Sequence, residues 1–553
     1  MRRLLPLLLM VPLVAGAATS KPAPSAEQVA EYAERVMREA VPDADGPGLA
    51  VLVARGDQIL YRGARGRASI ELGVALKPDH VLRIGSVTKQ FAAAALLKLV
   101  DEGHAALDDP LATYLPDYPN AQAITLHQLL DHTAGIRNYT DLPGYMDEGI
   151  RRDLTTAELI EVFRNEKPDF APGEKWAYSN SGYVLVGAVI EKITGKPWHA
   201  YLAEALFEPL GLAHTRYGED AAIIPGFAEG YSLAGGKVAR AGPLSMTQPH
   251  AAGALVSTLD DLWRWNLALH RGRVLKEATY RRMITPAGAA TETHYGYGIG
   301  VGQLRGRTML THDGGINGFL SKLTWLPEAQ LTVVSLRNAD GAPVPPAERR
   351  IAAFALGDPY PDPAAITVAP VDLQALEGSY RKKAGKDTRV LRVVHGVLTS
   401  QRSGGTPYRL VPVAGGRFMF EGSLSYLEPL RDRRGRTTGL RFFPEGEAGE
   451  PWERTGDAPA ARTEVDLPRA AQERLVGDYA APQLAFKVFF DEAGVLRVQV
   501  PGQPAFALKA ESAERLFIAE VDAMLTFDTQ PGPASRVTLK QGPTEVVLDR
   551  KQP

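Results

Sequence analysis

Gly85-Ser86-Val87-Thr88-Lys89-Gln90-Phe91, followed by Ala92-Ala93-Ala94-Ala95-Leu96-Leu97-Lys98-Leu99-Val100-Asp101-Glu102-Gly103, is the stretch on which the reading of this chain turns. Alanine, leucine and lysine favour helix, Phe91, Ala94, Ala95 and Leu99 share a face, and Gly103 is a C-terminal stop. The pattern predicts one buried helix beginning at Ser86. Residues three apart lie about one turn apart on the same face, which puts the Ser86 hydroxyl beside the Lys89 amine. A helix start also leaves backbone N–H groups free to stabilise an oxyanion. The competing reading is a serine that caps the helix and a lysine in solvent, and S-x-x-K by itself does not decide between them.

Outward from this stretch, the composition narrows the setting. The chain has 553 residues, 45% of them hydrophobic, enough for several domains with cores of their own. Lys and Arg number 62 against 64 Asp and Glu, a net charge of -2 with no sustained basic run, so nucleic acid is not an expected partner. Cysteine is absent, which excludes disulfides, thiolate metal sites and cysteine nucleophiles together. Met1-Arg2-Arg3, the apolar run Leu4 to Val14 and Ala15-Gly16-Ala17 read as a signal peptide over 1–17, predicting a periplasmic or secreted protein. That run is too short for an ordinary membrane span, and no other stretch approaches the ~20 apolar residues needed.

Along the chain, Ser25-Ala26-Glu27-Gln28 has capping-box spacing and opens a helix to about Ala40. Leu49 to Ala54 and Ile59 to Tyr61, joined by Arg55-Gly56-Asp57-Gln58, read as a β-hairpin. Ile124 to Gly135 reads as a short capped helix ending at glycine. Its His127 and His132 are five apart, on different faces and without an acidic residue at metalloprotease spacing, so both read as structural. Pro172-Gly-Glu-Lys-Trp-Ala-Tyr178-Ser-Asn180 reads as a loop that presents a phenol and an amide to one cleft ahead of an apolar helix, Val184 to Ile193. Thr308 to Thr311 reads as an edge strand running into His312-Asp313-Gly314-Gly315, where glycine would let a substrate backbone approach and the Gly315 N–H could serve as an oxyanion donor. Strands Lys322 to Leu326 and Leu331 to Leu336 follow.

Beyond Asp358, Pro359, Pro361, Pro363 and Pro370 mark a linker, and the rest alternates like strands. Leu376-Glu-Gly-Ser-Tyr380 matches Leu475-Val-Gly-Asp-Tyr479, and Gly396-Val-Leu398 matches Gly494-Val-Leu496, in the same order and at near-equal spacing. Two small antiparallel β-barrels are expected, each with Gly-x-Tyr opening its first strand. The domains read as one domain over 18–358 that carries the Ser86 stretch, a linker over 359–370, and barrels over 371–462 and 463–553.

Ser86-Val-Thr-Lys89, Tyr178-Ser-Asn180 and His312-Asp-Gly314, in this order and separation, resemble the three motifs of the serine β-lactamase and penicillin-binding protein superfamily. The class C β-lactamase, D-aminopeptidase and esterase branch is the nearest in pattern, and Leu126 to Gly135 and Pro172 to Asn180 are similar to its framework. The resemblance implies an α+β fold: a transpeptidase-like α/β sandwich followed by two lipocalin-like barrels. It implies Ser86 as acylated nucleophile, Lys89 as its neighbour in proton transfer, Tyr178 as general base or shuttle, and Asn180, His312 and Gly314 as substrate-binding residues. The N–H groups of Ser86 and Gly315 would form the oxyanion hole, with no metal or organic cofactor.

The branch's β-lactamases carry Lys-Thr-Gly where this chain has His312-Asp313-Gly314. Asp313, facing the cleft, would disfavour a substrate carboxylate and welcome an amine. The expected function is a secreted serine hydrolase of small amides such as D-amino-acid peptides. The alternatives are a carboxylesterase or weak class C-like β-lactamase, or an idle penicillin-binding-type sensor of peptidoglycan fragments.

Overall fold

Helix α1 (Ala26–Ala40) starts where a capping box closes, with the Ser25 hydroxyl accepting from the Gln28 N–H and the Gln28 side chain returning to the Ser25 N–H. Val29, Ala33, Val36 and Met37 form its buried stripe. The stripe lies on a hairpin of β1 (Leu49–Arg55) and β2 (Gln58–Arg65), as the sequence predicts. These positions belong to a computed structural model, which describes residues 23–551 apart from 234–235, 342–345, 363–369, 447, 460–461, 463, 519, 529–531 and 543. The expected signal peptide and linker residues 363–369 lie outside the described residues.

The chain divides into a unit ending at Pro359 and a second unit from Tyr360 onward. In the first, β1 and β2 join β3 (Gly300–Leu304), β4 (Arg307–Ile316), β5 (Phe319–Leu326) and β6 (Leu331–Arg337) in one antiparallel sheet of order β3-β4-β5-β6-β1-β2. β1 is buried along almost its whole length because helices cover both faces. The sequence places His312 on an edge strand, whereas β4 is second from the edge. Its partner β3 pairs only from Arg307 to Thr311, however, so from His312 onward that side of β4 is open.

The nucleophile stretch folds with one shift from the sequence expectation. Gly85–Val87 form a 3-10 turn, and the α-helix proper, α2, runs Thr88–Asp101. Gly85 has φ +48°, a backbone conformation that glycine adopts without a Cβ penalty, and this sends Ser86 into the turn rather than straight into the helix. At the other end, His104 N–H reaches Leu99 O and Gly103 N–H reaches Val100 O, the double bond pattern of a glycine-stopped helix. α2 is buried on nearly all sides rather than on one face, and Phe91 stacks on Trp265 with ring centroids 4.1 Å apart. Two further boundaries differ from expectation. The capped helix after Thr125 ends at Leu130, ahead of Gly135, and the apolar helix α3 (Asn180–Thr194) starts four residues early because Ser179 caps it through the Gly182 N–H. Among the described residues no helix is long and apolar enough to cross a membrane.

The second unit contains two closed antiparallel barrels whose strands follow sequence order, the first from Gly378–Lys382 to Glu450–Gly456 and the second from Gly477–Ala481 to Thr544–Arg550. The repeated Leu-x-Gly-x-Tyr has one structural cause. The buried Tyr380 hydroxyl donates to Leu376 O at 2.7 Å and Tyr479 to Leu475 O at 2.9 Å, each tying the first strand to the turn before it. Arg454 and Arg550 form a second equivalent pair, donating to Glu377 O and Val476 O. One aligned interior position is charged in the first barrel and aromatic in the second. Gly378 faces Leu391 and Gly477 faces Val488, which aligns Arg389 with Phe486. Arg389 is 5% exposed, 4.4 Å from the Phe442 ring centre and 2.8 Å from Ser400 Oγ, and burial lowers its pKa to about 10.

Candidate active site

Ser86 caps nothing: neither the 3-10 turn nor α2 receives a side-chain capping bond. Lys89 is not in solvent but fully buried. The bland reading of S-x-x-K therefore fails on both residues. Lys89 Nζ lies 3.1 Å from Ser86 Oγ, 2.8 Å from Asn180 Oδ1 and 2.9 Å from Ala252 O. Asn180 is brought there as the first residue of α3, held by its N–H to Asn138 Oδ1 and by its own amide N–H to Thr140 Oγ1. Ala252 comes from the short helix α4 (His250–Gly253), a contributor that no motif in the sequence announced.

Burial disfavours the ammonium and holds Lys89 well below the usual lysine range. A neutral amine has two N–H donors and one lone pair. Asn180 Oδ1 and Ala252 O are acceptors only and take both donors, which leaves the lone pair for the Ser86 hydroxyl. Tyr178 closes the other side, its ring centre 4.7 Å from Lys89 Nζ. Burial pushes its phenol above the usual tyrosine range, a hydrogen bond with Ser86 draws it down, and the charge of Asp313 adds to the rise. The net direction keeps Tyr178 protonated and makes the amine, not the phenolate, the stronger candidate base.

Strand β4 reaches this group through its glycines. A Cβ on Gly314 would lie 2.0 Å from Ile84 O and 2.2 Å from Ser321 Oγ, so only glycine lets the strand lie against the Ser86 turn. Ser321 Oγ donates to Ile84 O at 2.7 Å and fixes that contact. Gly315 then stands beside Gly85 and lines the pocket with Ser86 and Asn180. Gly314 packs behind the pocket wall.

His312 is also behind the wall, 6% exposed, with both ring nitrogens engaged: Nε2 2.8 Å from the Tyr295 hydroxyl and Nδ1 2.7 Å from Asp313 O. Nδ1–H donates to the carbonyl and Nε2 accepts from the phenol, a neutral ring, in agreement with burial lowering its pKa to about 4. Asp313 alternates to the exposed side of the strand and pairs with Lys322 Nζ at 3.1 Å, so its charge already has a partner. Of the two histidines read as structural, His127 pairs with Asp131 at 3.2 Å and meets the Tyr297 hydroxyl. His132 sits closer to the chemistry, its ring centre 4.4 Å from that of Tyr178 and its Nδ1 accepting from the Ser179 N–H at 3.2 Å. Its place five residues after His127 gave no signal of this, because the contact is made across the fold.

The sequence matches the Beta-lactamase family over residues 33–357, more than half the chain. The chain belongs to the beta-lactamase family. It is 28% identical over 353 residues to a D-aminopeptidase of Gluconobacter oxydans (strain 621H), covering 62% of this chain and 65% of that one. The alignment thus spans less than two thirds of that curated relative. Among solved structures, a D-stereospecific amidohydrolase from Streptomyces sp. is 30% identical, with a TM-score of 0.50, covering 56% of this chain and 94% of that one. A structure of SurE with D-Leu, 21% identical, aligns with a TM-score of 0.51 over 95% of this chain and 99% of that one, a likeness of fold. The expected class, a family serine hydrolase domain followed by two barrels, is what the fold and these likenesses give.

Proposed function

We propose that this family hydrolase cleaves small amides or esters of D-amino acids through an acyl-enzyme on Ser86. The observation that carries the reading is the triple environment of Lys89 Nζ, whose two acceptors and one hydroxyl neighbour suit a neutral general base aimed at Ser86. Lys89 takes the hydroxyl proton as Ser86 Oγ bonds to the acyl carbon, and the N–H groups of Ser86 and Gly315 receive the developing oxyanion. The proton passes through the Tyr178 phenol to the leaving amine or alcohol as the C–N or C–O bond breaks. Water then repeats the sequence and frees the acid. Asn180 holds Lys89 and offers its amide to the substrate. His312 and Gly314 support the wall from behind.

The D-amino-acid preference draws on the names of the relatives, a D-aminopeptidase and a D-stereospecific amidohydrolase. The pocket is also of fitting size, with a volume of about 330 Å³, which is small among ligand sites and suited to one residue rather than a long peptide. The leader-like pattern of residues 1–17 supports action outside the cytoplasm. The test is hydrolysis of D- and L-phenylalaninamide by wild type and Ser86→Ala, with fluorophosphonate labelling located by mass spectrometry. The expected result is a D preference, label on Ser86 and loss of several orders of magnitude in Ser86→Ala. Label on another serine, or an L preference, overturns the proposal.

A further inference from the structure

Among the described residues, Asp340 is the one charged side chain on the wall of the Ser86 pocket; the other polar side chains there, Ser86, Thr140, Asn180, Asn317 and the Tyr139 phenol, are neutral. Much of the rest of the wall is apolar, including Met146, Ile150, Leu244, Ile316 and Leu320. Asp340 is firmly placed. It ends the short strand β7 (Ala339–Asp340), which pairs in parallel with Tyr231–Ser232, and its carbonyl accepts from the Leu233 N–H at 2.9 Å. Its Oδ2 accepts from the Gly318 N–H at 2.6 Å, at the tip of the β4–β5 hairpin, while Oδ1 has no protein partner among the described residues. No lysine, arginine or histidine stands within ion-pair distance of it among the described residues. Arg337 is near enough for Asp340 to oppose the lowering of its pKa by burial, but makes no ion pair with it.

A carboxylate oriented by one backbone N–H, with its second oxygen open in a mostly apolar pocket, is a receptor for a cation that arrives with the substrate. We propose that Asp340 binds the α-ammonium group of the substrate, so that the site takes amino-acyl compounds with a free amine and an apolar side chain and turns away anionic ones. This rests on the reading of the pocket as the acyl site of Ser86. It replaces Asp313, which is paired with Lys322, as the group that selects an amine.

The test is made by binding, so that it does not depend on the acylation chemistry. Ser86→Ala protein is titrated calorimetrically with D-phenylalaninamide and with 3-phenylpropanamide, which differ only in the ammonium. The amino amide should bind about tenfold more tightly or better, the scale of a hydrogen bond to a charged group. Asp340→Asn in the same background keeps an oxygen for the Gly318 N–H and should reduce that ratio to near one. An equal affinity for the two amides, or a ratio that survives Asp340→Asn, overturns the proposal. Should Asp340→Asn fail to fold, raising salt from 50 to 500 mM on the Ser86→Ala protein decides: only the amino amide should lose affinity. Failure of the acyl-enzyme reading would appear instead as activity that persists in Ser86→Ala.

Discussion

Replacing Gly314 by alanine should cost about a hundredfold in kcat/KM without touching any group that does chemistry. The added Cβ would lie 2.0 Å from Ile84 O and 2.2 Å from Ser321 Oγ, whereas real Cβ contacts stay above 3.0 Å, so the strand or the Ser86 turn must give by about 1 Å. Ile84 O is backbone and Ser321 Oγ is bonded to it, so neither side yields cheaply. Overpacking of this kind costs about 1–3 kcal/mol of stability, and a displacement of about 1 Å between Ser86 and the Gly315 N–H is the size that costs ~100-fold in rate. Gly302→Ala is the matched control: it lies on the neighbouring strand, where a Cβ meets only the flexible end of Met309 at 3.4 Å. The assay is nitrophenyl ester hydrolysis together with urea unfolding followed by circular dichroism. A folded Gly314→Ala with kcat/KM within threefold of wild type, or a Gly302→Ala as damaged as Gly314→Ala, would refute the close-approach argument.

Lys89→Ala and Tyr178→Phe should each remove most turnover, and the double variant should be little worse than either, since the two move one proton; additive losses in kcat would show separate roles. With burial lowering the Lys89 pKa, the alkaline-rising limb of kcat/KM should lie well below the usual lysine titration, and a limb near pH 10.5 would contradict a neutral Lys89 in the free enzyme. His312 is held to about 4 when folded, against ~6.5 when unfolded. Between those values only the unfolded chain takes up the proton, so stability falls as pH drops through that window, by up to roughly 3 kcal/mol from this residue. His312→Gln should flatten the urea midpoint between pH 7.5 and 4.5, and an unchanged slope would count against a neutral buried ring. Arg389→Phe, which copies the Phe486 of the second barrel, should leave stability unchanged or raise it by about 1–3 kcal/mol, because a buried guanidinium with no carboxylate in ion-pair contact among the described residues gains little from its charge. A loss of more than 2 kcal/mol in urea melts would show that the contacts of Arg389 with Ser400 and the aromatic rings matter more than its desolvation.

Much of this protein could be read from local pattern. The capping box at Ser25, the hairpin around Gly56, the glycine stop at Gly103 and the twin Leu-x-Gly-x-Tyr openings all depend on residues a few positions apart, and each appears as the spacing implies. The pairing of Ser86 with Lys89 was legible for the same reason, since one helical turn joins them. Where the helices begin and end was less legible. Ser86 lies in a 3-10 turn because Gly85 takes a positive φ to meet β4, a constraint set by a strand more than two hundred residues away.

Only the tertiary structure decided which polar groups face the pocket. Alternation along β4 turns Asp313 outward to Lys322, while Asp340, unremarkable in the sequence, is carried into the wall by a short parallel pairing and the hairpin at Gly318. Ala252 and His132 join the site through a carbonyl and a ring contact that no side-chain motif encodes. The protonation states are tertiary as well. Lysine, tyrosine and histidine have fixed intrinsic affinities for a proton, and it is burial, which no stretch of sequence displays, that drives Lys89 and His312 toward their neutral forms and keeps Tyr178 protonated.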